Sequence, residues 1–206
     1  MTSGQMAALI ASYLLGAIPT SYIAGRLFKG IDLRQHGSKN LGATNVYRIM
    51  GWRYAIPVGI FDVAKGAVPV LIIGPAVSVV GWFPLVCGVM AVVGHVFSVF
   101  VGFKGGKGVA TSAGVVLGLA PMAVGICLVL WALIVWMSGY VSLGSVIATG
   151  VFPLLVWVLY PARRESIWLY VALAAVIIWM HRSNIRRLMA GTENRFGRHA
   201  NGSGSA

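Results

Sequence analysis

Apolar residues in this chain come in long runs, and the polar residues gather between them. The first run, Met6 to about Arg26, is interrupted at Gly16-Ala17-Ile18-Pro19-Thr20-Ser21. Pro19 lacks a backbone donor and Ser/Thr neighbours can re-satisfy the freed carbonyls, so the run predicts a kinked helix. Tyr54 to about Gly74 and Trp82 to Val101 are the second and third runs. From Val109 to Tyr160 no residue is charged. A spanning helix needs about 20 residues at about 1.5 Å each. That stretch therefore holds two spans, with breaks at Gly118–Pro121 and Ser138–Ser145 and room for a short helix near Val109–Leu119. Ile167 to Met180 is apolar again. The pattern predicts an all-α polytopic membrane protein.

Charge sets the orientation. Of 206 residues only 10% are charged, against about 25% in a soluble domain, and the formal net charge is +12. The basic residues cluster between apolar runs: in the loop from Gly25 to Arg53, in the turn holding Lys104 and Lys107, and in the tail from His181. Lys and Arg mark cytoplasmic loops, so anionic lipid and phosphorylated substrates, not nucleic acid, are the expected partners. If all three basic segments face the cytoplasm, an even number of crossings separates Lys107 from His181. The expectation is about seven transmembrane helices, N-terminus outside and C-terminus cytoplasmic. Five helices plus an interfacial one is the alternative. Seven places Arg163 and Arg164 outside, softened by Glu165. Residues 1–198 read as one integral membrane domain and 199–206 as a flexible tail or expression remnant.

Three polar stretches carry candidate chemistry. In His36-Gly37-Ser38-Lys39-Asn40-Leu41-Gly42-Ala43-Thr44-Asn45-Val46-Tyr47-Arg48, Ser38, Asn40, Thr44 and Asn45 offer neutral donors. Gly37 and Gly42 permit tight turns, and Arg48 can fork onto a phosphate. In the turn Gly102-Phe103-Lys104-Gly105-Gly106-Lys107-Gly108, glycines let backbone N–H groups approach an anion, two lysines add charge, and a helix N-terminus follows through Thr111. The alternative there is a topogenic basic turn. The nucleotide P-loop pattern is not met, since Val101 stands where a glycine is needed and Gly108 follows Lys107. In the tail, His181 and Asn184 are i,i+3 neighbours, followed by Arg186, Arg187 and Glu193; a merely interfacial basic helix is the alternative.

The remaining polar residues weigh less. Asp62 and Lys65 lie on one helix face and can pair within the membrane; a structural pair is favoured over a functional one. His95, near the lysine turn, reads equally as structure or chemistry. Asp32, Asp62, Glu165 and Glu193 are all the acids, so no metal site and no paired-carboxylate chemistry is expected. Cys87 and Cys127 lie in apolar runs and read as small buried residues.

Taken with GAIPTSYIAG in the first run and FDVAKGAVPV in the second, the motifs GSKNLGATNVYR, GHVFSVFVGFKGGKGVATS and HRSNIRRLMAGTENR resemble the PlsY family. These are bacterial integral membrane acyl-phosphate:glycerol-3-phosphate acyltransferases. The resemblance runs from about Gly16 to Arg195, with motifs in the family's order. Lys39 and Leu41, where the family often has glycine and proline, are mild departures. The resemblance implies acyl transfer from acyl phosphate to the 1-hydroxyl of glycerol 3-phosphate, at the cytoplasmic face of the bacterial inner membrane, by a monomer without cofactor. The catalytic set it implies is Ser38, Arg48, Lys107, His181 and Asn184. Gly37, Asn40, Gly42, Thr44, Asn45, Lys104, Gly105, Gly106, Gly108 and Thr111 would bind the substrate phosphates. Asp62, Lys65, His95, Ser142 and Glu193 are further candidates.

The residues themselves support two anion sites, since both substrates carry phosphate. The residue five after each histidine is Leu41, Phe100, Arg186 or Gly204, so the His–Asp dyad of many glycerolipid acyltransferases is missing. An activated acyl phosphate can react by orientation and electrostatic stabilisation instead. The base is left open between a substrate phosphate oxygen, His95 and His181. A transporter or channel for phosphorylated solutes is the competing class.

Overall fold

The structure is a computed structural model that describes residues 1–196. The tail expected over 199–206 lies outside the described residues, as do the last two residues of the expected domain. Every regular element among them is helical. The order is α1 Ser3–Ala17, α2 Thr20–Lys29, α3 Ala43–Met50, α4 Trp52–Val68, α5 Gly74–Val77, α6 Phe83–Val96, α7 Val109–Leu117, α8 Pro121–Ser138, α9 Val141–Leu159, α10 Ile167–Met180 and α11 Arg182–Met189. By length and apolar composition five helical segments can cross a membrane: Ser3–Lys29, Trp52–Val77, Phe83–Val101, Pro121–Ser138 and Val141–Leu159. A sixth is reached if Pro161–Met180 and Arg182–Met189, bent by 56°, form one span. The short helix expected after Lys107 is α7, whose nine residues extend only about 14 Å.

The kink expected in the first run is a break at Ile18–Pro19, and its carbonyls are satisfied from other helices. Ser98 Oγ donates to Ala17 O at 2.5 Å and Lys65 Nζ donates to Ile18 O at 2.9 Å. Away from water an unpaired carbonyl is costly, so these two bonds let the chain turn inside the bundle. The second run is longer than expected. α4 begins at Trp52 and continues through a π-helical turn, Pro69–Ile73, into α5.

The third run spans Phe83–Val101 as expected, but its α-helix stops at Val96 and a 3₁₀ turn, Val99–Val101, completes it. The cause is the lysine turn, which folds back on the helix end. Gly105 N–H donates to Val96 O (3.0 Å) and Gly106 N–H to His95 O (3.1 Å), taking the last carbonyls of α6. The backbones are so close that a β-carbon on Gly105 would lie 1.9 Å from His95 O.

Glycines also set the helix pairings. A β-carbon on Gly66 would lie 2.0 Å from Thr111 O and one on Gly114 1.9 Å from Val63 O. Helices α4 and α7 therefore run side by side in backbone contact, and Thr111 is sealed between them. The bundle centre is a cluster including Val92, Val96, Val115, Phe152, Tyr170 and Ile177, drawn from α6, α7, α9 and α10. Ile60, Phe61, Leu71, Ile72 and Trp136 stay exposed on the outer surface, as in a protein whose surrounding medium is lipid.

Chain ends pair off on two faces. At one, Gln5 Nε2 donates to Ser78 Oγ (3.5 Å), and Met122 N–H donates to the Tyr160 hydroxyl (2.9 Å). At the other, Phe196 N–H donates to Gly139 O (2.7 Å), and Ser142 bonds Glu193.

Candidate active site

The three polar motifs converge on one cavity of about 480 Å³. Its mouth is polar and its interior, between α7, α8, α9 and α10, is apolar. Ser38, Asn40, Gly42, Thr44, Arg48, Lys107, Gly108, His181 and Asn184 all line it, as do Asp62, His95, Ser142 and Glu193.

The tail forms the tightest part of the mouth. Lys107 Nζ donates to Asn184 Oδ1 at 2.6 Å, and Asn184 Nδ2 donates to Glu193 Oε1 at 2.7 Å. Ser142 Oγ donates to the same carboxylate oxygen at 2.8 Å, and Arg187 Nε to Oε2 at 2.7 Å. Burial pushes the Glu193 pKa up, but the bonds from Asn184, Ser142 and Arg187 outweigh it and hold the carboxyl below its usual range. Glu193 is thus an anchor that fixes Asn184, and through it Lys107. The Lys107 pKa falls to about 8, first because burial disfavours its charge; Glu193 opposes the shift, and Arg187 and Arg48 add to it. His181 Nδ1 lies 2.8 Å from Ile177 O. A carbonyl only accepts, so Nδ1 carries the proton and Nε2 keeps its lone pair.

Several donors at this mouth have no partner among the described residues. Arg48 Nη2 donates to Asn194 O (3.3 Å), but its buried Nε is unpaired, as is the buried hydroxyl of Ser112. Helix α7 is uncapped by any side chain and its first intrahelical bond is Ser112 N–H to Gly108 O. The N–H groups of Val109, Ala110 and Thr111 therefore have no partner within the helix. A buried helix start beside Lys107 and Arg48 favours an anion.

Not every expected residue reaches the cavity. Lys104 stays exposed on the turn, outside the lining. Gly105 and Gly106 lie behind the wall, and their N–H groups are committed to α6 instead of to an anion. Thr111 faces α4; Ser112, which sequence reasoning passed over, lines the cavity in its place. Gly37 and Asn45 build the first loop. Asn45 accepts from Ser38 N–H (2.8 Å) and donates to Leu33 O and His36 O (both 3.1 Å), so its amide is used up holding the loop closed. Gly37 has φ +59°, and a β-carbon there would meet Asn45 Oδ1. Arg187 was also missed as a site residue, because its partner Glu193 lies beyond the end of the helix that carries it.

Asp62 and Lys65 are a structural pair in geometry. Lys65 Nζ lies 2.8 Å from Asp62 Oδ1, which also accepts from Thr20 Oγ1 (2.6 Å), and Lys65 holds the Ile18 carbonyl. His95 Nδ1 is 3.7 Å from the same Asp62 oxygen.

Fold and site together define a class: a helical membrane protein with anion-directed donors at the mouth of an apolar, intramembrane slot. The sequence profile described as Glycerol-3-phosphate acyltransferase matches residues 6–191, and the chain belongs to this family. It is 41% identical to a glycerol-3-phosphate acyltransferase of Chlorobaculum tepidum, covering 94% of this chain and 97% of that one. The corresponding protein of Chlorobaculum parvum is 40% identical over 95% and 98% of the two chains. Among solved structures, the chain is similar to PlsY (YgiH), an integral membrane glycerol 3-phosphate acyltransferase, with 39% identity. Its glycerol 3-phosphate form superposes with a TM-score of 0.88 over 94% of this chain and 96% of that chain. The lysophosphatidic acid form gives 0.85 over 94% and 95%.

Proposed function

We propose that the protein transfers a fatty acyl group from acyl phosphate to the 1-hydroxyl of glycerol 3-phosphate, releasing lysophosphatidic acid and inorganic phosphate. The observation that carries this reading is the pairing, at one mouth, of unpartnered anion donors with an apolar slot. Two phosphorylated substrates need two anion sites, and an acyl chain needs the slot. Arg48 with Ser38 and Thr44 forms one set of donors; Lys107 with the start of α7 forms the other.

In the proposed reaction the glycerol hydroxyl oxygen attacks the acyl carbonyl carbon, and the bond from that carbon to the phosphate oxygen breaks with its electron pair going to phosphate. Lys107 and the α7 N–H groups stabilise the negative charge that builds on the carbonyl and leaving oxygens. Arg48 fixes a phosphate by charge-assisted bonds, and His181 Nε2 orients the hydroxyl. As its bond breaks the leaving phosphate becomes more basic, so the hydroxyl proton passes to a phosphate oxygen. Asn184, held by Glu193, keeps Lys107 in register. No metal is required in this scheme, and activity should survive thorough chelation.

The proposed setting is a monomer in the bacterial inner membrane, with seven crossings, the N-terminus outside and the site facing the cytoplasm. Support comes from how helix ends meet: α1, α6, α8 and α10 run toward the site face, and α4, α7 and α9 away from it. Cysteines introduced singly at Lys39, Lys104 and Arg187 should all be labelled from the cytoplasmic side. The activity test is phosphate release from acyl phosphate by the purified protein in detergent. Release only when glycerol 3-phosphate is present supports the reading; release independent of it, or none, overturns it.

A further inference from the structure

The slot has a floor. On α10 the cavity-lining positions are Tyr170, Leu173, Ala174, Ile177 and then His181, one face of a helix at i, i+3, i+4, i+7. The eleven steps along the helix from Tyr170 to His181 correspond to about 16 Å of depth. On α9 the lining runs from Ser142 at the mouth to Phe152, ten steps along the helix or about 15 Å. Two helices thus give the same depth independently. At that depth the rings of Phe152 and Tyr170 meet, with centroids 6.0 Å apart and planes tilted by 54°. Tyr170 is 1% exposed, and its hydroxyl is buried with no hydrogen bond among the described residues.

We propose that Tyr170 and Phe152 set the acyl-chain length the enzyme prefers, by closing the slot below the reacting carbonyl. The occupant is the hydrocarbon tail of the acyl donor, and the inference rests on the acyl transfer proposed above. An extended chain built from C–C bonds of about 1.5 Å advances about 1.3 Å per methylene. The slot therefore takes about a dozen methylenes, which places the preferred donor near myristoyl. A stearoyl chain must fold or leave sideways, and its carbonyl is then held less well at Lys107 and Asn184.

The test measures kcat/KM for saturated acyl phosphates from decanoyl to stearoyl, at one mole fraction in one detergent, in wild type and three variants. The readout is the stearoyl-to-decanoyl ratio within each protein, which a general loss of folded enzyme does not move. Y170A should raise this ratio at least about fivefold and shift the optimum up by about three carbons. F152L should shift it the same way by less, and Y170W should lower the ratio and shift the optimum down. Retention of folded protein is checked by gel filtration, and F152L carries the test if Y170A does not fold. Length profiles that coincide in wild type, F152L and Y170W overturn the proposal while leaving acyl transfer intact. Absence of turnover with every donor in wild type instead overturns the reading beneath it.

Discussion

Two buried clusters of charge lie close together in this molecule, and they are built to opposite ends. Around Asp62, the donors end on protein: Lys65 and Thr20 on its Oδ1, and Lys65 again on the Ile18 carbonyl at the α1 break. Around Lys107 the groups are held in place but not used up. Glu193 anchors Asn184 and Arg187, while Arg48 Nε, Ser112 Oγ and the α7 start are left without partners among the described residues. Charge inside a membrane protein is therefore not by itself a sign of chemistry. Leftover donor capacity, facing a cavity, is the discriminating feature.

The comparison breaks most readily at Asp62. Removing one partner of a buried pair leaves the other uncompensated, at about 3–5 kcal/mol. Asp62→Ala should thus lose most of its folded yield or lower its unfolding temperature in detergent far more than any mouth substitution does. A folded Asp62→Ala with wild-type stability and no activity would place Asp62 with the chemistry instead.

Lys107→Ala comes next and should show the reverse signature. A charge-assisted contact is worth about 1.5–3 kcal/mol, so kcat/KM should fall roughly ten- to hundredfold, and further if the contact strengthens as charge builds on the leaving phosphate. Thermal stability should barely change. Arg163→Ala, in the short turn on the opposite face, should leave kcat/KM within about twofold. Wild-type kinetics in Lys107→Ala would reduce the lysine turn to a basic loop that only sets topology.

A gentler probe uses pH. In the proposed reaction the ammonium of Lys107 is the active form, and burial lowers its pKa to about 8. kcat/KM, which reports the free enzyme, should therefore be flat below that value and fall toward tenfold per unit above it. Lys107→Arg should remove this alkaline limb, because a guanidinium stays charged. A limb that persists unchanged in Lys107→Arg belongs to another group.

How far the sequence carries this contrast depends on the kind of contact. Runs of apolar residues and the three basic motifs are local, so the helical membrane fold was legible, as were the motifs that bring Ser38, Arg48, Lys107, His181 and Asn184 to one cavity. Which way a glycine turn faces is not local. Gly105 and Gly106 read as an anion cradle, yet their N–H groups close the end of α6. Thr111 and Ser112 are adjacent and chemically alike, and only the α4 contact at Gly66 decides which one meets the cavity. Tyr170 sits in an apolar helix with nothing to distinguish it until Phe152 arrives from α9. Helices α7 and α10 are too short to be read as spans from composition alone, with nine and fourteen residues.

The smallest expected effect concerns the scaffold of the mouth. Lys39 adopts φ +58°, a left-handed conformation that costs an L-residue about 1–2 kcal/mol. It does so at the end of a turn closed by Lys39 N–H to His36 O at 3.0 Å, and Asn45 ties the same loop from beneath. The conformation is thus imposed by the loop, not chosen by the lysine, which does not line the cavity. Lys39→Gly relieves the left-handed strain but gives the unfolded chain more freedom, at about 0.5–1 kcal/mol. The second offsets about half of the first, leaving a net gain of about 0.5–1 kcal/mol, read as a small rise in unfolding temperature. Because the loop's shape is kept, KM for glycerol 3-phosphate should be unchanged. A rise in KM of about fivefold or more without any loss of stability would show that Lys39 holds substrate, and would move this loop from scaffold to binding site.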